Sequence, residues 1–537
     1  MAVPPKKSAE SLPSSGVVRR VVSVTLWIVV ILCVGRWVIR YADACLIGES
    51  AVTSVTGGEG PFIFNVWTIV NGHPLYHNPF SGPATALPLY NYLSYYLYAF
   101  ILKALRVTDS RIIAYGKGIT GLLCVCGSLV SGVTACRALD LKGPRARWIA
   151  FLCGFYAWFA PLPFGPYNLM VRADIPAGFF VAAALLFTIT GLRRAKNWSY
   201  LVAGVFFYLA WSCKQSAVCA FLGVMFYLSL RTWRWGAACL VAAPFAALVG
   251  VTLLLGSADY RLCTLVAPTA NAFDIRNGAR VILFTIGAVP LLMLGAFAYC
   301  VARKKWVTRW RPSIAAGSRL DAMHLLIHVV AVNMLLSIPE TSRAGGTANF
   351  LIEGGLAAVP IMAWLLLLLP RLRGRMFFCA TRGLLAGVAM CCFFATGIFP
   401  LASIGQQLLK GHGLWSNRKE VAAMEASEDW LKRQPEPLLI MNEGLGLPWF
   451  SSGGKFPSYE YDLCADYWLS DKGWYRGGGP LWVAGQGLAA TVLVDMNEDP
   501  QNAALRQAVD SGKYQESGEV FSFLGDQYQV FRRREAE

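Results

Sequence analysis

Residues 57–98 read GGEGPFIFNVWTIVNGHPLYHNPFSGPATALPLYNYLSYYLY. Gly, Pro, Asn and Tyr dominate the stretch, Glu59 stands near its start, and Tyr90, Tyr92, Tyr95, Tyr96 and Tyr98 form a ladder at its end. One apolar span precedes it and a long array of others follows. Connections between spans are ordinarily short, so a segment of this length is either functional or disordered. Its aromatic content argues against disorder. The expectation is an external loop that contributes to a site at a membrane surface.

The composition surrounding this stretch agrees. The chain has 537 residues, 56% of them hydrophobic and only 15% charged, which excludes an ordinary soluble enzyme. Several windows reach the length an apolar helix needs to cross hydrocarbon. A net charge of +17 raises the possibility of nucleic acid, but the cations do not gather on one face. They fall between apolar spans, at Arg193, Arg194 and Lys196, at Arg231 and Arg234, at 303–311 and at 371–375. That is how cytoplasmic loops of a polytopic protein are marked, so no nucleic-acid partner is expected. Most of the fifteen cysteines sit inside apolar spans and read as small hydrophobes. Lys6, Lys7, Arg19 and Arg20 ahead of an apolar run imitate a secretory signal, but Arg36 and Arg40 follow, so an uncleaved anchor is expected.

Taken in order, residues 1–20 read as a cytoplasmic tail, 21–400 as a transmembrane domain with its first external loop at 40–86, and 401–537 as an extracytoplasmic α/β domain. The first span is expected at Val21–Ile39. Later spans are expected at 87–102, 112–136, 148–164, 175–192, 198–213, 217–230, 236–256, 279–300, 322–338, 356–370 and 382–400. Placing every basic loop inside puts 165–174, 214–216, 257–278 and 339–355 outside, and one stretch between 87 and 136 must then fail to cross. The Tyr-rich 87–102 is the choice, with 148–164 as its rival. Beyond Ser416 the pattern changes. NRKEVAAMEASEDWLKRQ (417–434) reads as an amphipathic helix, PLLIMN (437–442) and TVLVDM (491–496) as buried strands, and FSFLGDQYQVFRR (521–533) as a hairpin turning near Gly525. The expected fold class is an α-helical polytopic membrane protein of about 11–13 membrane helices with a small C-terminal α/β domain.

The outer connections share a chemical character. YNLMVRADIP offers Asn168, Arg172 and Asp174; WSCKQS offers Lys214 and Gln215; PETSRAGGTANFLIEGG offers Glu340, Arg343, Asn349 and Glu353. The first loop offers Asp43, Glu49 and Glu59, together with Tyr90. Ionisable groups at membrane depth cost about 2.5–3.5 kcal/mol on insertion scales and so usually face a cavity. Carboxylates beside Arg and Lys suit a reaction with a nucleophile to deprotonate and an anionic leaving group to hold. A sugar carried on a lipid phosphate fits: a carboxylate takes the proton of an acceptor hydroxyl as it attacks the anomeric carbon, and cations hold the departing phosphate. One base in line gives inversion, unlike the two-carboxylate hydrolases. His73 and His77 have a metal-ligand spacing, but Pro74 and Pro79 beside them oppose a helix. No cofactor is expected, and a divalent metal is left open.

Four motifs fall in a telling order. E-G, an apolar run, N-G-x-P-L-Y-x-N-P and P-L-Y-x-Y-L in the first loop are followed by V-R-A-D-I-P, C-K-Q-S and N-F-L-I-E. Together they resemble the GT-C membrane glycosyltransferases, in the bacterial branch of protein-mannosyltransferase and aminoarabinose-transferase relatives. The resemblance covers about residues 20–400. It implies a polyprenyl-phosphate-sugar donor, a lipid, glycan or protein acceptor, and a multi-pass enzyme of a cell membrane, bacterial inner membrane by the branch resembled. By it Glu59 matches the loop acid taken as general base, Asp174 the second-loop acid, and Lys214 a donor-phosphate contact. Arg172, Gln215, Arg343, Asn349, Glu353 and Tyr90 complete the expected site. The chain departs from the pattern in having a lone Glu59 followed by Gly60 instead of an Asp-Glu pair. A transporter or lipid flippase of envelope glycoconjugate synthesis is the alternative, and a non-catalytic assembly partner the third.

Overall fold

The computed structural model describes residues 15–46, 59–76, 87–108, 111–160, 165–269, 273–279, 317–342, 348–368, 426, 429–431, 433–435, 437–440, 459–460, 480–496, 500–510, 512–523 and 526–534. The spans expected at 279–300 and 382–400 and the helix expected at 417–434 lie wholly or mostly outside them.

Helices α1 (Ser15–Leu46), α2 (Glu59–Val70), α3 (Tyr92–Ala104), α4 (Ile112–Leu139), α5 (Pro144–Phe159), α6 (Asp174–Arg194) and α7 (Asn197–Cys213) come first. They are followed by α8 (Val218–Met225), which continues as a π-helical turn over Phe226–Arg231, then α9 (Trp235–Leu255) and the short α10 (Ala258–Arg261). Arg319–Thr341 is α11, Ile352–Ala357 is α12 and Val359–Leu368 is α13. Among the described residues, α4, α6, α9 and α11 are long and apolar enough to cross a membrane.

One expectation fails at once. Residues 59–70 are a buried helix and not part of a loop. After Pro61 the run FIFNVWTIV contains no breaker, Pro61 suits the first turn, and the Glu59 carboxylate favours the helix N-terminus. Two of the ladder tyrosines are likewise core. Tyr95 stacks on Phe62 with ring centroids 4.3 Å apart, and Tyr98 is fully buried, whereas Tyr96 is exposed. The thirteen residues of α3 rise only about 20 Å, short of the ~30 Å of hydrocarbon. Its C-terminal end packs near the start of α4, where Leu102, Val107, Ile112 and Ile113 join α2 in one apolar cluster, and its start is tied to the end of α7 through Asn91 and Ser94.

The main core runs through α1, α4–α9 and α11–α13. Close packing of α4 on α5 depends on Gly154, where a Cβ would lie 2.4 Å from the Ser128 carbonyl oxygen. Left-handed residues Asp140 and Ala195 end α4 and α6 and turn the chain back sharply. The same end of the bundle collects charge. Asp140 pairs with Arg193 at 3.8 Å and Arg319 at 3.2 Å, and Arg234 pairs with Asp321 at 2.8 Å. Basic connections 193–196 and 231–234 therefore share one end with the start of α11. The starts of α6 and α12 and the end of α7 gather at the other.

The C-terminal unit is a described five-stranded sheet, β1 (Leu438–Ile440), β2 (Tyr459–Glu460), β3 (Thr491–Asp495), β4 (Tyr514–Phe523) and β5 (Asp526–Arg533), in the order β2-β1-β3-β5-β4. β1 is parallel to β2 and β3, while β5 runs antiparallel to β3 and β4. Strand alternation serves two apolar layers. Val492 and Val494 face Leu505 and Val509 of α15 (Pro500–Val509), which follows α14 (Pro480–Gln486) in the chain. Leu493 faces Phe521, Tyr528 and Val530 on the other side. The expected strands and hairpin are present.

Candidate active site

The site is built on an irregular backbone segment. A 3-10 turn, Gly165–Leu169, leads through Met170–Ala173 into α6, and most of these residues are buried. Backbone polar groups at that depth need partners. Trp37 Nε1 donates to the Asn168 carbonyl at 2.8 Å, and Asn168 Nδ2 donates to the Trp158 carbonyl at 3.2 Å. Thr120 Oγ1 donates to the Met170 carbonyl at 3.0 Å. The Val171 amide donates to Glu59 Oε1 at 2.8 Å.

On the other side of the segment the expected charges meet. Asp174 opens α6, where an acid suits the helix N-terminus. Lys214, at the break between α7 and the 3-10 turn Gln215–Ala217, donates to Asp174 Oδ1 at 2.6 Å. Asn349 Nδ2 donates to the same oxygen at 3.0 Å, and Lys214 Nζ also donates to the Asn349 carbonyl at 3.2 Å. Phe350 covers the ammonium, its centroid 4.6 Å away. Arg172 Nε lies 3.3 Å from Asp174 Oδ2, an oxygen with no hydrogen bond among the described residues. The Arg172 guanidinium donates to Tyr90 Oη at 2.5 Å and lies against the rings of Tyr90 and Tyr167 at 5.9 and 5.4 Å. Asp174 and Lys214 are 2% and 3% exposed, and Arg172 at 12% is the cluster's most open cation.

Electrostatics separates the carboxylates. Burial opposes the charges of Arg172 and Lys214, but Tyr90 and Asp174 around the first, and Asp174 and Glu353 around the second, raise both above their ordinary range. Glu353, 1% exposed at the start of α12, is pushed up to about 7 by burial, against the pull of Lys214. Its Oε2 has no hydrogen bond among the described residues. Below about pH 7 Glu353 carries its proton, and two cations then face one carboxylate anion. Such a cluster favours an added anion.

Not every expected residue joins it. Gln215 Nε2 is committed to the carbonyls of Leu89 at 3.0 Å and Thr264 at 2.9 Å, so it ties connections together instead of facing the cluster. Arg343 and His77 lie outside the described residues. Glu59, 0% exposed, sits behind the 170–173 segment, with Lys117 Nζ of α4 at 3.7 Å. Lys117 was missed by sequence reasoning, although a lone lysine within the apolar run IIAYGKGITGLLC was a signal. Tyr167 and Asn333 were also missed. Asn333 Oδ1 accepts from the Gly354 amide at 3.0 Å and so fixes the turn that carries Glu353.

No family model and no curated protein matches the chain. Among solved structures it is similar to ArnT from Cupriavidus metallidurans bound to undecaprenyl phosphate, at 12% identity and a TM-score of 0.51, over 94% of this chain and 97% of that one. It also matches the apo oligosaccharyltransferase of Archaeoglobus fulgidus at 12% identity and a TM-score of 0.48, over 92% of this chain and 74% of that one. The likeness to ArnT shows a shared fold.

Proposed function

We propose that this chain, sharing its fold with ArnT, which has been seen with undecaprenyl phosphate bound, is a membrane glycosyltransferase with a polyprenyl-phosphate-linked sugar donor. The observation that carries the reading is the buried cluster of Arg172 and Lys214 around Asp174, beside a Glu353 that holds its proton near neutrality. A lipid phosphate supplies the anion the cluster lacks, and its tail accounts for a site built between membrane helices.

The chemistry assigns the groups. An acceptor hydroxyl attacks the anomeric carbon opposite the phosphate, the new C–O bond forms as the C–O bond to phosphate breaks, and the anomeric configuration inverts. Asp174, whose Oδ2 has no hydrogen bond among the described residues, takes the hydroxyl proton. The departing polyprenyl phosphate is held by Arg172 and Lys214, and neutral Glu353 donates a hydrogen bond to it. Tyr90 and Tyr167 hold the guanidinium plane, and Asn349 keeps the Asp174–Lys214 pair in register. The site lies at the end of the bundle opposite the basic connections, which the positive-inside rule makes the extracytoplasmic end. The C-terminal domain is proposed to sit on that side as well.

Purified full-length protein in lipid vesicles, supplied with labelled polyprenyl-phosphate sugar, tests the reading. Wild type should release the sugar from phosphate to acceptor with inversion, and Asp174→Asn should not. Labelled donor that crosses the bilayer with its sugar–phosphate bond intact would identify a flippase instead.

A further inference from the structure

The pair formed by Glu59 and Lys117 has no place in the transfer just described, yet it is among the most deeply buried charge pairs in the molecule. The two side chains are 0% and 2% exposed, their charged atoms lie 3.7 Å apart, and each comes from a different helix. Sequence reasoning makes Glu59 the base. Its surroundings assign it other work. Oε1 receives the Val171 amide at 2.8 Å, and Val171 directly precedes Arg172. Beside that bond the Met170 carbonyl accepts from Thr120 at 3.0 Å, and the Thr120 hydroxyl accepts in turn from Tyr98 Oη at 2.7 Å. Packing tightens the same contact, because a Cβ on Gly116 would meet Val171 Cγ2 at 2.7 Å. Val171 and Ala173 belong to the apolar cluster of α2, α3 and the start of α4, so the Glu59 side of the segment is core and the Asp174 side is the site.

We propose that Glu59 and Lys117 are a positioning pair that fixes the backbone of residues 170–172, and through it the place where Arg172 presents its guanidinium to the donor phosphate. The inference rests on the transferase reading for its consequence, but the clamp itself stands on this geometry alone. Lys117 Nζ pairs with the Glu59 carboxylate in the core, and the carboxylate accepts from the Val171 amide. Neither group touches substrate. Removing one charge breaks a buried ion pair, whereas removing both keeps an amide oxygen for Val171.

Two readouts test this on the full-length protein. The first is hydrogen exchange of residues 165–174, which needs no turnover. Glu59→Gln and Lys117→Met should each raise exchange there by roughly tenfold, and the double variant should return toward wild type, as coupled neighbours do. Equal exchange in all four proteins overturns the clamp, whatever the protein catalyses. The second is donor kinetics. Each single variant should raise KM for the labelled polyprenyl-phosphate sugar by roughly tenfold with kcat changed less, and the double should recover most of it. A double variant that folds with wild-type exchange yet loses kcat by roughly a hundredfold or more makes Glu59 the proton acceptor and overturns the assignment. Absence of transfer in wild type would count against the transferase reading and leave the exchange result to decide the clamp.

Discussion

At the residue scale, Asp174 is a single buried carboxylate that two cations and an amide converge on. Its Coulomb interaction with Lys214, at 2.6 Å and almost without water, is strong because both desolvation costs have already been met by the fold. Truncating one partner leaves the other charged in the core. Lys214→Met should therefore lower stability by about 3–5 kcal/mol. Combining it with Asp174→Asn should recover much of that loss in denaturant unfolding while transfer stays absent. Full transfer activity in the folded double variant would remove Asp174 from the chemistry.

Glu353 belongs to the same scale. Its folded value of about 7 lies above the ordinary carboxylate range, and burial is the main cause. The sign follows directly. The proton-bearing form is the one the fold favours, so the stabilisation is complete below the ordinary carboxylate range and is lost as pH rises through about 7. The charged groups that face it are Lys214 and Asp174. Above about 7 a second anion stands beside Lys214 and competes with the phosphate. Donor KM should rise with pH across this window in wild type and stay flat in Glu353→Gln, as measured by initial rates over a pH series.

At the scale of elements, helix contacts set the site through close backbone approach. Gly154 is where α5 meets the Ser128 carbonyl, so Gly154→Val must force α4 and α5 apart. Overpacking of this kind costs about 1–3 kcal/mol. Thermal unfolding in detergent should show that loss. An unchanged melting temperature would mean the two helices do not need this contact.

Elements also show what could be read from the sequence. Asp174, Lys214, Asn349 and Glu353 were legible because polar side chains next to apolar helix ends have few reasons to be there. Their order along the chain located the connections, and the structure brings them to one place. The role of 59–70 was not legible. Helix and loop readings of GEGPFIFNVWTIV differ only in whether Gly60 and Pro61 end something or begin it, and a buried apolar helix lacks the periodicity that marks an amphipathic one. Lys117 escaped for a related reason: a lone cation in an apolar span shows its cost, but its partner is a residue 58 positions earlier. Gln215 misled because an amide satisfying two carbonyls looks, in sequence, like one awaiting substrate.

At the scale of the molecule, the bundle has two chemically distinct ends. One gathers Arg193, Arg234, Arg319, Asp140 and Asp321, and the other gathers the Arg172–Asp174–Lys214 cluster. By the positive-inside rule this separation predicts how the protein is oriented in the membrane. Reporter fusions that end after Ala195 should report the cytoplasmic side, and fusions that end after Ser216 the opposite side. The reverse pattern would place the cluster where an extracytoplasmic acceptor cannot reach it.

The central claim is that Arg172 and Lys214 hold a lipid phosphate. Native mass spectrometry of the full-length protein, released from bilayers containing polyprenyl phosphate, tests it most directly. Wild type should retain one polyprenyl phosphate through activation, and Arg172→Ala and Lys214→Ala, provided each runs as a folded monodisperse species, should lose it. Equal retention by all three, or none by wild type while neutral lipids remain bound, would contradict the account.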